Sequence, residues 1–385
     1  MEQALKKKNT ALMTASVATM IDSFNRDNIR LLTEAGYHVD VAANFGDGNP
    51  SAERMTAYKE ELEQAGMGWY QIPTPRSPLK MGQIFRACAM LRKLVNEKQY
   101  KIVHCHSPVG SVVARLACMG ARRRGTKVVY TAHGFHFFRG ASKIAWLIYY
   151  PIEWFCSMFT DVLITINQED YQRGKKLLAK RVEYVPGVGV DVERFRTPQG
   201  DPAALRSSFG FTPEDYVLIS VGELSVRKNH EAAIRALAKA GNPRLKYLIV
   251  GNGDLEGYLK ELVAELKLQE QVIFAGYRSD IRDLLHVADG FVFPSLQEGL
   301  PVALMEAMSA GLPVVCSSIR GNVDLIENGV GGWIYDPRDV DGFAEGIGNL
   351  LTAGRDFGEQ NAHTVRRFDI GTVREQMRQL YDSLN

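Results

Sequence analysis

The sequence predicts an α/β protein with two domains, each built around a parallel β-sheet. Short runs rich in β-branched residues alternate with longer stretches whose apolar residues recur every three or four positions, the pattern of strands joined by helices. A length of 385 residues suits two domains, because single cores stop growing beyond roughly 250–300 residues. The predicted strands are 10–18, 37–43, 68–72, 101–106, 127–132, 161–166 and 181–185 in the first half, and 215–221, 245–250, 271–275, 289–294, 313–316 and 332–335 in the second.

The break between the domains is predicted just after strand 181–185, where the stretch 186–202 has the Pro, Gly and polar composition of a linker. We therefore expect a first domain over 1–190 and a second over 191–367. Helices are predicted between the strands, for example at 26–35 and 81–98. The last helical stretch, Val373–Leu384, follows the second sheet, and we expect the segment 368–385 to pack back on the first domain.

Charge is unevenly divided along the chain. Residues 1–190 contain 26 Lys and Arg against 16 Asp and Glu, whereas residues 191–385 contain 20 against 28. This asymmetry suggests that the first half meets an anionic partner, either a phosphate-bearing substrate or a membrane surface. A solvated surface with an uneven distribution of charge is an equally good explanation.

The cysteines and the apolar runs predict a cytoplasmic protein. Five cysteines form an odd count without a Cys-x-x-Cys pair, which indicates neither a disulfide framework nor a zinc site. The lysine-rich segment 1–10 is unlike a signal peptide, and no apolar run reaches the roughly 18 residues of a spanning helix.

The strongest motif is Phe293–Pro301, which leads from a predicted strand into a predicted helix over Val302–Ala310. It places two carboxylates, Glu298 and Glu306, beside a loop at the carboxyl end of a strand, where open α/β sheets bind ligands. Carboxylates accept hydrogen bonds from sugar and ribose hydroxyls, and the loop amides can meet an anion. The alternative is a pair of acids that merely favour the helix dipole.

A second motif, Gly222–Asn229, also follows a predicted strand and precedes a helix. Its adjacent cations, Arg227 and Lys228, suit a diphosphate, because Arg offers a bidentate fork and Lys a compact point charge. An exposed basic turn is the alternative.

A third stretch follows the next strand and contains Gly251 and Gly253, which resemble a dinucleotide fingerprint only in part. A plain tight turn is the simpler interpretation. Gly222, Gly251 and Gly253 are still included in the predicted ligand site, since glycine allows a ligand to approach the backbone closely.

In the first half, His133 ends a predicted strand and is a candidate for hydrogen bonding to a sugar hydroxyl or for proton transfer, with a pKa in the neutral range. His104 and His106 end the neighbouring strand and are expected to be packed and hydrogen-bonded rather than to bind a ligand. A metal site built with Cys105 is disfavoured, because alternate strand residues point to opposite faces. The aromatic, cation-flanked stretch 135–159 suits either a membrane interface or a helix packed on the sheet.

Together these motifs resemble the family 4 glycosyltransferases, retaining enzymes of the GT-B fold in which two Rossmann-like domains face each other across a cleft. The resemblance is most specific from Glu298 through Glu306. It implies that Glu298 holds donor-sugar hydroxyls, that Gly299 and Leu300 offer backbone amides, and that Glu306 binds the ribose. It further implies that Arg227 and Lys228 hold the diphosphate. His133 matches the histidine that contacts the donor sugar.

One departure from the family pattern lies after the first strand, where many members carry a glycine-rich loop. Here the strand runs into the stretch 16–25, which contains no glycine. In this respect the chain is similar to bacterial exopolysaccharide and capsule transferases, many of which extend a polyprenyl-diphosphate-linked sugar at the cytoplasmic membrane face.

The resemblance therefore implies transfer of a hexose or N-acetylhexosamine from a UDP-sugar, without metal or cofactor. A lipid-linked saccharide is the expected acceptor, a peripheral membrane contact is expected, and no nucleic acid partner is expected. The candidate catalytic residues are His133, Arg227, Lys228 and Glu298. The alternatives are a nucleotide-sugar epimerase of the same fold and a non-catalytic binding protein. A nicotinamide oxidoreductase ranks last, since no glycine fingerprint follows a first strand in either half.

Overall fold

The computed structural model describes residues 9–46, 49, 51–353 and 355–384. These residues form two compact units, here named the first and the second domain. The first domain comprises the described residues up to Val188 and those from Val373 onward, and the second comprises the described residues of Gly189–Thr372.

The first domain contains a parallel sheet of seven strands in the described residues, with the order β3-β2-β1-β4-β5-β6-β7. The strands are β1 (Thr10–Val17), β2 (His38–Asn44), β3 (Trp69–Gln71), β4 (Ile102–His106), β5 (Lys127–Ala132), β6 (Val162–Thr165) and β7 (Arg181–Tyr184). The helices between them are α1 (Ala18–Phe24), α2 (Arg26–Glu34), α3 (Ala52–Gln64), α4 (Met81–Lys98), α5 (Pro108–Ala117), α6 (Met119–Arg123), α7 (Lys143–Ser157) and α8 (Gln168–Gly174).

The second domain carries a six-stranded sheet within its described part, with the order β10-β9-β8-β11-β12-β13, again parallel. Its strands are β8 (Tyr216–Val221), β9 (Leu245–Val250), β10 (Val272–Gly276), β11 (Gly290–Phe293), β12 (Val314–Ser317) and β13 (Gly332–Tyr335). Its helices are α9 (Val192–Arg196), α10 (Pro202–Ser208), α11 (His230–Ala240), α12 (Glu256–Glu265), α13 (Ile281–Val287), α14 (Val302–Ser309), α15 (Asn322–Leu325), α16 (Val340–Leu350) and α17 (Arg355–Thr364), followed by a 3₁₀ helix at Val365–Phe368.

The thirteen predicted strands are all present, and each observed end lies within one residue of its prediction. The prediction succeeds because both faces of each sheet are covered. Each strand is therefore a continuous apolar run, and residues typical of turns separate it from the next element. The two clusters of the first domain show this covering. Leu12 of β1 belongs to one buried cluster, and its neighbours Ala11 and Met13 belong to the other.

The final helix, α18 (Ile370–Asp382), packs into the core of the first domain. Its apolar residues recur at helical spacing, and Val373, Met377, Leu380 and Tyr381 are all buried there. The cations of the same helix face the first domain as well, since Arg374 bonds to Asp27 of α2 at 2.8 Å. No helix in the described ranges is long and apolar enough to cross a membrane.

The end of β1 shows how the first domain manages without a glycine pair. Ser16 donates its backbone N–H to Ser107 Oγ, and its own hydroxyl accepts from the backbone N–H of Gly110, each at 2.9 Å. The close approach at this point requires a glycine in α5 instead, because a Cβ at Gly110 would lie 2.6 Å from the backbone nitrogen of Ser16. The first turn of α5 therefore lies directly against the end of β1.

Candidate active site

The predicted site residues of the second domain follow strands β8, β9 and β11. Strands β8 and β11 are neighbours at the centre of the sheet, and the chain proceeds outward from them in opposite directions. This is the topological switch point, where the loops at the carboxyl ends of the strands diverge and leave a crevice for a ligand. The loop 222–229 follows β8 and the loop 294–301 follows β11.

Glu298 joins these two loops through one carboxylate oxygen. Its Oε1 accepts hydrogen bonds from Nζ of Lys228 at 2.8 Å and from Nη1 of Arg227 at 3.0 Å. Arg227 also bonds to the carbonyl oxygen of Gln297 at 3.2 Å. The structure thus brings together three of the predicted residues in a cluster of net charge +1, named here the Glu298 cluster.

Burial makes the Glu298 cluster electrostatically strong. The side chains of Glu298 and Lys228 are 8% and 11% exposed, whereas that of Arg227 is 45% exposed. Desolvation lowers the pKa of Lys228, although the charge and the hydrogen bond of Glu298 act in the opposite direction. The ammonium also lies 4.6 Å from the ring centre of Phe293, which adds a cation–π contact.

Two residues that the sequence analysis missed hold the Glu298 loop in place. The buried Arg320 donates from Nε to the carbonyl oxygen of Glu298 at 3.0 Å. Asn229 donates to the carbonyl oxygens of Pro294 and Pro337, at 3.0 and 2.8 Å. These donors bind backbone carbonyls far along the chain, so no local motif could reveal them.

The two residues after Glu298 lie against the loop that follows β12. A Cβ at Gly321, whose φ is +80°, would lie 2.3 Å from the carbonyl oxygen of Gly299. Leu300 is buried, and Pro301 is the N-cap of α14 rather than its first helical residue. Their packing accounts for the fixed path of the loop, and the binding role of their amides stays a prediction.

The three glycines of the site pack backbone against backbone. A Cβ at Gly251, whose φ is +145°, would lie 2.0 Å from the carbonyl oxygen of Gly222, and one at Gly253 would lie 2.4 Å from that of Leu224. A Cβ at Gly222 would lie 3.1 Å from Cε of Lys228. The loop after β9 therefore supports the loop that carries the two cations, a structural reason for glycine at these positions besides ligand approach.

Glu306 lies on α14, and the described residues provide no hydrogen bond or ion pair from its carboxylate to the Glu298 cluster. Burial raises its pKa to about 7, and Arg194 of the neighbouring helix α9 acts to lower it. A carboxyl group with such a pKa can accept hydrogen bonds from a diol when it ionises.

His133 lies in the first domain, directly after β5. Its Nε2 lies 3.1 Å from Nδ1 of His106, and desolvation lowers its pKa to about 4. The expected pKa in the neutral range was therefore wrong, because burial disfavours the charged form of the ring. The ring is a neutral imidazole at physiological pH.

The other two strand histidines are buried and hydrogen-bonded. The ring nitrogens of His104 lie 2.8 Å from the hydroxyls of Tyr381 and Thr131. Cys105 points to the opposite face, where its thiol contacts the carbonyl oxygen of Val129. Within the described ranges, no group of three or more His, Cys, Asp or Glu side chains is arranged to hold a metal ion.

Two family models match the chain. The model "Glycosyltransferase Family 4" matches residues 24–194, and "Glycosyl transferases group 1" matches residues 202–364. EpsD of Bacillus subtilis (strain 168), named as a glycosyltransferase, is 36% identical over 97% of this chain and 96% of its own length. The UDP-Gal:alpha-D-GlcNAc-diphosphoundecaprenol alpha-1,3-galactosyltransferase of Escherichia coli is 32% identical over 76% of each chain.

Among solved structures, HepE of Anabaena in complex with UDP and glucose is similar to this chain with a TM-score of 0.76. The two are 22% identical, and the match covers 97% of this chain and 99% of HepE. The likeness shows that the two parallel-sheet domains form the GT-B fold.

Gly251→Ala should destabilise the second domain, because the new Cβ meets the backbone of Gly222 at a φ unfavourable for alanine. We expect a loss of roughly 1–3 kcal/mol in the free energy of unfolding. Gly348→Ala is the matched control: it lies exposed within α16, a Cβ there meets nothing within 4 Å, and the exchange should leave stability level or raise it. Thermal unfolding of both variants measures the difference, and equal melting temperatures would contradict the packing described.

Glu306→Gln should change how stability depends on pH. Between its ordinary value of 4.5 and about 7, Glu306 holds a proton in the folded state that the unfolded chain has lost. The stability it contributes is therefore fully present below pH 4.5 and lost as the pH rises to 7, by at most about 1.4 kcal/mol per pH unit. Urea unfolding from pH 4.5 to 8 should show wild type losing stability relative to Glu306→Gln, with the exposed Glu261→Gln as control. Parallel curves for wild type and Glu306→Gln would contradict the raised pKa.

Proposed function

The chain belongs to the family 4 glycosyltransferases, and on that premise we propose that it transfers a hexose or N-acetylhexosamine from a UDP-sugar to a lipid-linked saccharide, with retention of configuration. The observation that carries the proposal is the Glu298 cluster at the carboxyl ends of β8 and β11. In this proposal the second domain binds the donor and the first binds the acceptor.

The charges of the cluster fit a diphosphate. Arg227 and Lys228 supply two positive charges, of which the carboxylate of Glu298 neutralises one. A diphosphate brings negative charge to a partly desolvated site, where charge-assisted hydrogen bonds are stronger than in water. The exposed part of Arg227 offers the guanidinium fork, and the buried Lys228 adds a fixed point charge.

Glu298 can hold the cations and a sugar at once. Its Oε1 binds both cations, while Oε2 accepts no hydrogen bond from the described residues. A carboxylate fixed in this way on one oxygen presents the other to a sugar hydroxyl. This supports the assignment of Glu298 to the donor sugar, and the assignment of Glu306 to the ribose stays a prediction.

The transfer itself breaks the bond between the anomeric carbon and the β-phosphate oxygen and forms a bond from the acceptor hydroxyl to the same carbon. For retention, the acceptor approaches on the face from which the diphosphate leaves, and its proton passes to the departing phosphate oxygen. Arg227 and Lys228 stabilise the negative charge that grows on that oxygen. These cations supply the neutralisation that a metal ion provides in other enzymes.

The relatives support the choice of donor and acceptor. HepE of Anabaena has been solved with UDP and with UDP-glucose. The name of the Escherichia coli relative states a UDP-sugar donor and an acceptor linked to diphosphoundecaprenol. Two further relatives are named for amylovoran and colanic acid biosynthesis, which supports a role in polysaccharide synthesis.

Helix α7 supports contact of the first domain with a membrane. An ordinary surface helix buries its apolar residues and exposes its charges. Here the fully buried residues are Glu153, Cys156 and Ser157, and the aromatic residues Trp146, Tyr149 and Tyr150 are partly buried against the core. The outer face nevertheless carries large apolar side chains. The exposed ones are Ile144 (68%), Leu147 (76%), Ile148, Ile152, Trp154 and Phe155.

A buried ion pair fixes which face of α7 points into the domain. Arg115 of α5, with no exposed surface, donates to both carboxylate oxygens of Glu153, at 2.5 and 3.0 Å. Its guanidinium also lies 4.3 Å from the ring centre of Tyr130. With the glutamate anchored inside and the exposed cations Arg139 and Lys143 beside the apolar face, α7 suits the surface of an anionic bilayer.

Lys228→Ala and Glu306→Ala should each lower the rate of transfer by about a hundredfold or more, because each removes a contact to the donor. The rate is measured as sugar transfer from a panel of UDP-sugars to a polyprenyl-diphosphate-linked saccharide. Lys260→Ala, exposed on α12, is the matched control and should leave the rate unchanged. Transfer near the wild-type rate by both site variants would refute the site, and sugar turnover without any acceptor would instead indicate an epimerase.

Ile144→Glu combined with Leu147→Glu should release the protein from vesicles that contain phosphatidylglycerol. Each exchange removes the burial of one apolar side chain, worth about 1.5–3 kcal/mol, and adds a repelled charge. Sedimentation with the vesicles measures the bound fraction. Leu351→Glu introduces one such charge at an exposed leucine of the second domain and should bind as wild type does. If the double variant binds as well as this control, α7 is not the contact.

A further inference from the structure

Three side chains form a chain of contacts between Met13, in the middle of β1, and the carboxyl ends of β4 and β5. Nε2 of His106 lies 3.2 Å from the thioether sulfur of Met13. Nδ1 of the same ring lies 3.1 Å from Nε2 of His133. Strands β1 and β4 flank the point where the first sheet reverses its order, which is the ligand-binding position of such sheets.

Met13 decides which nitrogen of His106 carries the proton. A thioether sulfur has lone pairs and no proton, so it can only accept. The nitrogen that faces it, Nε2, must therefore be the N–H of a neutral His106. Burial lowers the pKa of His106 well below its ordinary value, so the ring holds one proton and its Nδ1 is an acceptor.

The same reasoning assigns the tautomer of His133. Since Nδ1 of His106 accepts, the nitrogen of His133 that faces it must donate, so Nε2 of His133 carries the proton. The neutral ring then has its lone pair on Nδ1. No hydrogen bond to that nitrogen comes from the described part of the chain.

The contacts of His104 show, by contrast, why the sulfur of Met13 is needed to fix the position of a ring proton. Its two nitrogens face the hydroxyls of Tyr381 and Thr131, which can each donate or accept. Its tautomer is therefore left open by its partners. Among the three neighbouring histidines, His106 is the ring whose partner, the sulfur of Met13, can only accept a hydrogen bond.

The backbone directly after His106 is held in an unusual conformation. Ser107 has φ +62° and ψ 151°, a region that is essentially restricted to glycine. The Ser107 hydroxyl is bound to Ser16, with Oγ to Oγ at 2.9 Å and the Ser16 N–H to Ser107 Oγ at 2.9 Å. Such a conformation persists where its surroundings over-determine it, and here it lies at the end of the strand that carries His106.

We propose that His106, oriented by Met13, is a positioning residue that holds His133 as its Nε2–H tautomer, so that Nδ1 of His133 accepts a hydrogen bond from a substrate hydroxyl. The proposal rests on the proposed function only in taking a sugar as the substrate. It assigns His133 the part of an acceptor, so the hydroxyl that it binds must donate.

Nitrogen-15 NMR of the histidine-labelled, ligand-free protein tests the tautomers directly and does not depend on any transfer activity. Long-range proton–nitrogen correlations distinguish the two neutral tautomers, and His106→Asn and His133→Gln assign the signals. We expect Nε2–H on both rings. An Nδ1–H form of either ring in the wild-type protein overturns the proposal. If both rings carry the proton on Nε2 but the wild-type protein transfers no sugar, the proposed function fails and the tautomer assignment stands.

Variants of His106 test whether this residue sets the tautomer of His133. His106→Leu removes the acceptor and should leave His133 as a mixture of tautomers, with kcat/KM lowered about tenfold, the size of one lost hydrogen bond. His106→Asn keeps a carbonyl oxygen in place of Nδ1 and should restore both. An unchanged His133 tautomer in His106→Leu overturns the proposal.

Met13→Leu should give a mixture of tautomers on His106, because leucine cannot accept a hydrogen bond. Met55→Leu makes the same exchange in the same buried cluster, on α3, and should change neither ring. An unchanged His106 spectrum in Met13→Leu would show that Met13 does not set the position of the proton and would overturn the proposal. This test needs only a folded Met13→Leu protein, so it holds even if His106→Leu fails to fold.

Discussion

The second domain depends on one carboxylate oxygen that binds two cations. A buried carboxylate is costly unless it is paired, and Glu298 is paired with both Arg227 and Lys228 through Oε1. This pairing joins the loops after β8 and β11 at the switch point of the sheet. The rest of the site follows from it: Arg320 fixes the loop of the carboxylate, and Gly251 allows the neighbouring loop to support that of the cations.

The two domains use the same topology with different chemistry. In the second, the switch point concentrates charge, which suits a diphosphate. In the first, the corresponding position holds the neutral imidazoles of His106 and His133, which suit recognition of hydroxyls. The first domain also replaces the glycines after β1 by a serine pair, with Gly110 providing the close approach. Such a division fits the proposed roles of the two domains, with the diphosphate of the donor on the second and saccharide hydroxyls on the first.

The sequence was sufficient for the strands and for the residues of the Glu298 cluster. Strands covered on both faces leave long apolar runs, and acids or cations directly after such runs lie at the carboxyl edge of the sheet. The contacts of Arg320 and Asn229 could not be predicted, because their partners are backbone carbonyls of distant loops. The pKa of His133 was wrong for a related reason: burial depends on packing that a strand-end position does not reveal. The aromatic stretch of α7 was ambiguous because a buried and an exposed apolar helix share one composition. Which face is outside depends on tertiary contacts, such as the buried pair of Arg115 and Glu153.

A crystal structure of the protein with UDP tests the central claim most directly. The account predicts diphosphate oxygens within hydrogen-bonding distance of the Arg227 guanidinium and of Nζ of Lys228, with Glu298 still bound to at least one of the two cations. A diphosphate bound elsewhere on the protein, with both cations still held by Glu298 alone, would contradict it.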